Sequence, residues 1–138
     1  MELEDELYDK IVEWSEDGDT LLEEEDYDGA IKKYQAALEL LPEPKYDWEA
    51  GTWLYAALGD AYYLSSRYNE AERCLQEALK CPDGIGNPFI LLRLGECHYE
   101  FGNIEKAKEN LLKAYMCEGE DIFEEEEGKY FDIIKDII

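Results

Sequence analysis

Apolar positions between residues 54 and 82 recur at helical spacing. Tyr55, Leu58 and Tyr62 fall three and four apart and share one helix face, and Ala71, Leu75 and Ala78 do the same for a second helix. The polar turn Ser65-Ser66-Arg67 separates them. Neither stripe can be buried by its own helix, so the pair needs neighbours. The same alternation continues on both sides. Leu3, Leu7, Ile11, Trp14 and Leu21 predict a helix over about residues 3–24, and Ala30, Tyr34, Ala37, Leu38 and Leu41 a second one that Pro42 and Pro44 end. Further helices are predicted from near Trp48 to Leu64, over about 69–80, from Pro88 (capped by Asn87) to about Phe101, and over 104–116. The segments PEPKYD and CPDGIGNP read as connectors, the first projecting or packing over an edge.

After Gly119 the pattern changes. Phe123, Tyr130, Ile134 and Ile137, with Ile133 and Ile138 beside them, predict a C-terminal helix over about 120–138, which Gly128 breaks into a short acidic turn and a longer helix. The isoleucines are too many for one exposed face; they either cap the end of the stack or form a homodimer contact. The run Glu124 to Glu127 lacks the Gly-punctuated loop of a calcium site and reads as a solvated acidic face.

A length of 138 residues fits a single domain, 1–138. Charge is the unusual feature: 13 Lys and Arg against 36 Asp and Glu give a net charge of −23. Such a field repels phosphate backbones and anionic lipid surfaces, so neither nucleic acid nor a membrane is expected as a partner, and a cationic partner is. The opening residues MELEDELYDK have neither a basic nor an apolar leader region, and no apolar run reaches the ~18 residues that span a bilayer, so a cytoplasmic location is expected. Cys74, Cys81, Cys97 and Cys117 show no CxxC and no ligand spacing, and are read as small apolar fillers.

Set in register, the helix pairs spell a pattern: Trp14-x-x-Asp17-Gly18-x-x-Leu21, Tyr55-x-x-Leu58-Gly59-x-x-Tyr62 and Leu91-x-x-Leu94-Gly95-x-x-His98. Each is followed by Ala and, four residues on, a large residue: Ala30 with Tyr34, Ala71 with Leu75, Ala107 with Leu111. Ala37, Ala78 and Ala114 close the units, and the interval from Gly to first Ala is 12 each time. This resembles the tetratricopeptide repeat (TPR). The resemblance implies an all-α, right-handed superhelical solenoid of three TPR helix hairpins, over about 3–42, 48–82 and 87–119, with an additional C-terminal capping helix. The glycine spacings of 41 and 36 exceed the ~34 of the family, so both connectors carry insertions.

In similar proteins the first helices of successive repeats line a concave groove that takes an extended peptide or a partner's helix. The face opposite the packing residues carries Glu16, Asp19 and Glu23, then Trp53 and Asp60, then Phe89, Glu96 and Glu100, flanked by Tyr63 and Tyr99. These are the expected partner-binding residues, and acidic rims with aromatic rings suit Lys or Arg side chains, so a basic protein or peptide is expected. The alternative for Trp53, Tyr63, Phe89 and Tyr99 is packing between helices. Carboxylate-clamp TPRs of chaperone adaptors hold an acidic tail with Lys and Asn, whereas Asp19, Asp60 and Glu96 follow the glycines here and Arg93 is the one cation on the face, so that role is disfavoured. A small acidic TPR chain is also similar to immunity proteins that neutralise bacterial toxins. A self-associating scaffold or assembly adaptor is the other reading.

No catalytic residue, metal site or cofactor is expected. The single His98 falls at a repeat packing position, and no GxSxG, HExxH or GxxxxGK[ST] is present. A non-enzymatic interaction module is the reading that remains.

Overall fold

Paired helices make up the structure, a computed structural model that describes residues 3–138. The chain divides into two compact units, Met1–Ile85 and Gly86–Ile138. The first holds two hairpins, α1 (Asp5–Glu23) with α2 (Tyr27–Leu40) and α3 (Glu49–Leu64) with α4 (Tyr68–Leu79). The second holds α5 (Pro88–Glu100), α6 (Ile104–Glu118) and the short α7 (Gly128–Asp132). The all-α class and the three hairpins are those the sequence predicts.

Local chemistry explains the helix ends. The first helix of each hairpin stops at a residue in the left-handed region: Glu25 (φ 63°), Ser66 (φ 63°) and Gly102 (φ 82°). The next N–H, of Asp26, Arg67 and Asn103, turns back to the carbonyls of Leu21, Tyr62 and His98 at 2.8, 2.8 and 2.9 Å. That closure satisfies orphan carbonyls at the helix end. Asp26 and Asn103 then cap α2 and α6, their side chains accepting from the Gly29 and Lys106 amides. Asn87 accepts from the amides of Phe89 (2.9 Å) and Ile90 (3.3 Å), with Pro88 as the first residue of α5.

Within each hairpin the repeat glycine admits the large residue of the second helix. A Cβ built on Gly18, Gly59 or Gly95 would stand 2.6, 2.9 or 2.7 Å from Tyr34, Leu75 or Leu111. All three large residues are wholly buried. Each such burial stabilises the hairpin by roughly 1.5–3 kcal/mol before entropic costs. In the first unit α3 packs on both α4 and α2, joining its two hairpins through one core that includes Ile11, Ala37, Leu38 and Leu54.

The first connector folds over the end of α2. Lys45 Nζ donates to the carbonyls of Leu38 (2.9 Å) and Leu41 (3.0 Å), and Trp48 Nε1 donates to that of Pro42 (2.8 Å). A cation there also suits the negative end of the helix.

The C-terminal segment departs from the predicted long helix. Gly119 (φ 75°) ends α6, 3-10 turns cover Glu120–Phe123 and Lys135–Ile137, and α7 between them is five residues long. Too short to stand alone, the segment is held by packing. Phe123, Tyr130 and Ile134 are buried, and Phe131 meets Tyr115 and Phe123 at ring separations of 6.4 and 5.2 Å. The isoleucine cluster therefore divides: Ile134 is fully covered, while Ile137 and Ile138 are 55% and 49% exposed. No helix among the described residues is long and apolar enough to cross a membrane.

Candidate functional site

Six of the ten expected binding residues belong to the first unit. Glu16, Asp19 and Glu23 lie exposed on α1; Trp53 is at the surface of α3, with Asp60 and Tyr63 half-buried. Tyr34 reaches from the core to Asp19, donating its hydroxyl at 2.5 Å. Burial, reinforced by that hydrogen bond and by the charges of Asp19 and Asp60, pushes the Tyr34 phenol far up. One of the predicted acids thus binds this hydroxyl, and a second adds its charge. Tyr63 tilts against Tyr68 at 5.8 Å between rings.

Trp53 lines a cleft of about 660 Å³ with Tyr8, Trp48 and Pro82, rimmed by Asp5, Asp47 and Glu49. Tyr8, 48% exposed, was absent from the predicted set. Its signal was available: it stands four residues before Val12 on the stripe that continues through Glu16, Asp19 and Glu23.

In the second unit, Phe89, Glu96, Tyr99 and Glu100 all lie on α5, and each is involved with Arg93 or with the C-terminal segment. The Arg93 guanidinium stands 5.1 Å over the Phe89 ring and pairs with Glu96 (2.7 Å) and with Glu126. Glu96, expected on an open face, is 0% exposed, and its Oε2 has no hydrogen-bond partner among the described residues. Burial first, then the Glu126 carboxyl group, raise its pKa to about 9 against the pull of Arg93. Glu96 is therefore neutral near pH 7.

Glu100 accepts from the Tyr130 hydroxyl (3.0 Å) and pairs with Lys129 (2.9 Å). Lys129 in turn lies 5.4 Å over Tyr99 and 5.2 Å over Tyr130, whose rings meet edge to face at 5.3 Å. Glu126, Lys129 and Tyr130 were missed by the sequence reading. They follow the last repeat, where no internal period ties a residue to a face of α5.

Among the described residues no group of three or more His, Cys, Asp or Glu could hold a metal ion. Cys74, Cys81 and Cys117 are free thiols. Burial pushes the Cys74 thiol up to about 12.

Family models described as tetratricopeptide repeat match residues 18–83 and 90–116. A comparison with curated proteins found no match. Among solved structures, the first TPR of Spaghetti (RPAP3) bound to the HSP90 peptide SRMEEVD superposes with a TM-score of 0.74 at 18% identity, covering 91% of this chain and 90% of that one. The second TPR of the same protein, bound to the same peptide, gives 0.68 at 21% identity, covering 79% and 93%. The Yersinia enterocolitica type III secretion chaperone SycD, in complex with a peptide of the translocator YopD, gives 0.73 at 18% identity, covering 93% and 92%. At these identities the likeness establishes the fold.

These findings correct the expected partner. The SRMEEVD peptide on both RPAP3 domains carries more acids than cations, so this fold does not oblige a basic ligand, and the chaperone-adaptor class should not have been set aside. The physical reason lies in range. Net charge sets a field that salt screens within ~8 Å, whereas ligand polarity is decided by the few groups that touch the ligand. None of the structures named here is a toxin-neutralising protein, and that resemblance has no support.

Proposed function

We propose, from the premise that this chain belongs to the tetratricopeptide repeat family, that it is an adaptor holding an acidic segment of a partner protein. That it is a protein-binding chain and not an enzyme follows from the family and the chaperone and adaptor domains it resembles. The class of segment is the proposal.

One observation carries it. The α5 face that carries Arg93 already accommodates a carboxylate, that of Glu126, in a chain whose net charge is −23. Burial keeps Glu96 neutral, and Arg93 pairs with Glu126 beside it. A charged pair of this kind, with the ring of Phe89 beneath the guanidinium, stabilises an acidic side chain locally. The acids of α1 and α3 lie in the other unit. The reading includes the cytoplasmic location expected from the sequence, which the free thiols of Cys74, Cys81 and Cys117 support, since oxidising compartments favour pairing.

Fluorescence anisotropy with labelled SRMEEVD, and with an analogue carrying Lys in place of each acid, tests the reading. The acidic probe binds, more weakly at high salt, and the Lys analogue does not. Binding of the Lys analogue as tightly as the acidic probe, or of neither, overturns it.

A further inference from the structure

The α5 face that would receive such a segment carries one of the chain's own. Three side chains of the C-terminal segment, spread over five positions, engage it: Glu126 on Arg93, Lys129 on Glu100, and Tyr130 on both Glu100 and Tyr99. The contacts alternate in kind, with an ion pair at one end and a ring pair at the other. They recruit α5 residues the sequence analysis had assigned to a partner.

The segment's own architecture suits a part that leaves. Its helix is five residues long and is bounded by 3-10 turns, so little backbone structure holds it in place once its side chains let go. Two of its anchors on this face, Glu126 and Lys129, are ion pairs, and such contacts exchange for those of a ligand with similar groups at small net cost; the third, Tyr130, is buried against the Tyr99 ring. Phe123 and Ile134 bracket the stretch, so Glu126 to Tyr130 can lift while both ends stay seated, a movement that uncovers the buried Tyr130 ring.

We infer that residues 126–130 act as an internal ligand, an autoinhibitory strap that a partner's acidic segment must displace from Arg93. The inference rests on the acidic-segment reading and adds to it: the apparent affinity for any such segment is lowered by the fraction of molecules in which the strap is seated. A displacing segment must offer Arg93 a carboxylate in place of that of Glu126.

The test uses the full chain, its Glu126→Gln and Lys129→Ala variants, and the SRMEEVD probe. Either variant weakens the strap, so the probe binds roughly tenfold more tightly than to the parent chain. Amide exchange over residues 124–132 accelerates in the variants without ligand, and in the parent chain on adding probe, while the α6 amides stay protected and report that the hairpin is folded. Equal affinity for parent and variants with unchanged exchange overturns the strap and leaves the acidic-segment reading standing. Failure of the probe to bind any of the three chains, with exchange accelerated in the variants, overturns the acidic-segment reading and with it the strap's role as competitor.

Discussion

Leu111 occupies the space in which a side chain on Gly95 would stand: a Cβ there would lie 2.7 Å from both Cγ and Cδ2 of the leucine. The pair sets the closeness of α5 and α6, because the leucine is wholly buried and the backbone amide of the same residue lies only 3.1 Å from that point. Gly95→Ala gains helix propensity of about 1 kcal/mol but forces an overpacking cost of roughly 1–3 kcal/mol, so a net loss of about 1 kcal/mol is expected. Leu111→Ala leaves a cavity instead and costs roughly 2–5 kcal/mol. Urea unfolding of the two variants would show the larger loss for the leucine.

Turn positions give a prediction of opposite sign. Glu25 and Ser66 hold the left-handed conformation that Gly102 holds in the third hairpin. The penalty for an L residue there is about 1–2 kcal/mol, partly offset by the greater freedom of glycine in the unfolded chain. Ser66→Gly and Glu25→Gly should each raise stability by roughly 0.5 kcal/mol, read as a higher denaturation midpoint. A lower midpoint for both would contradict this account of the hairpin turn.

The buried Glu96 carboxyl makes stability depend on pH in a stated direction. Its folded-state value of about 9 exceeds the ordinary 4.5, so between those limits the folded state binds the extra proton. The contribution is complete below about pH 4.5 and is lost as pH rises towards about 9, at up to ~1.4 kcal/mol per unit. Arg93 and Glu126 are the charged groups that face it. Glu96→Gln keeps the shape without the proton, so the difference between parent and variant should widen in favour of glutamine as pH rises. A difference that does not change with pH would show that the carboxyl titrates normally.

Thiol labelling should be ordered by exposure and acidity. Cys117 is exposed, Cys81 and Cys97 are buried, and burial holds Cys74 at about 12. A small alkylating reagent at neutral pH therefore modifies Cys117 first, and mass mapping of the singly labelled chain would find it there. Early label on Cys74 would show that α4 opens readily.

Much of this was legible because it is local. The interval from each repeat glycine to its alanine and large residue fixed which residues meet inside a hairpin, and Asn87-Pro88 marked the start of α5. Two things were hidden for different reasons. The meeting of Glu126 with Arg93 joins residues 33 apart across a segment without a repeat, so no periodicity carries it. Glu25 and Ser66 do not advertise a left-handed turn as glycine does, and only their alignment with Gly102 gives them away. The ligand's polarity was misjudged because 36 acids dominated a question that the few groups touching a ligand decide.

The turn residue stands seven positions after its glycine in all three hairpins, at Glu25, Ser66 and Gly102. Length within a hairpin is thereby locked, since one added residue would rotate the second helix off its glycine by about 100°. Spare length can enter only where hairpins join. The boundary between Ile85, 84% exposed, and Gly86, where an added Cβ would meet open space, is such a place. Extra residues inserted there leave every glycine-to-turn interval intact, which makes the tether between the two units an adjustable part of a chain whose hairpins are not.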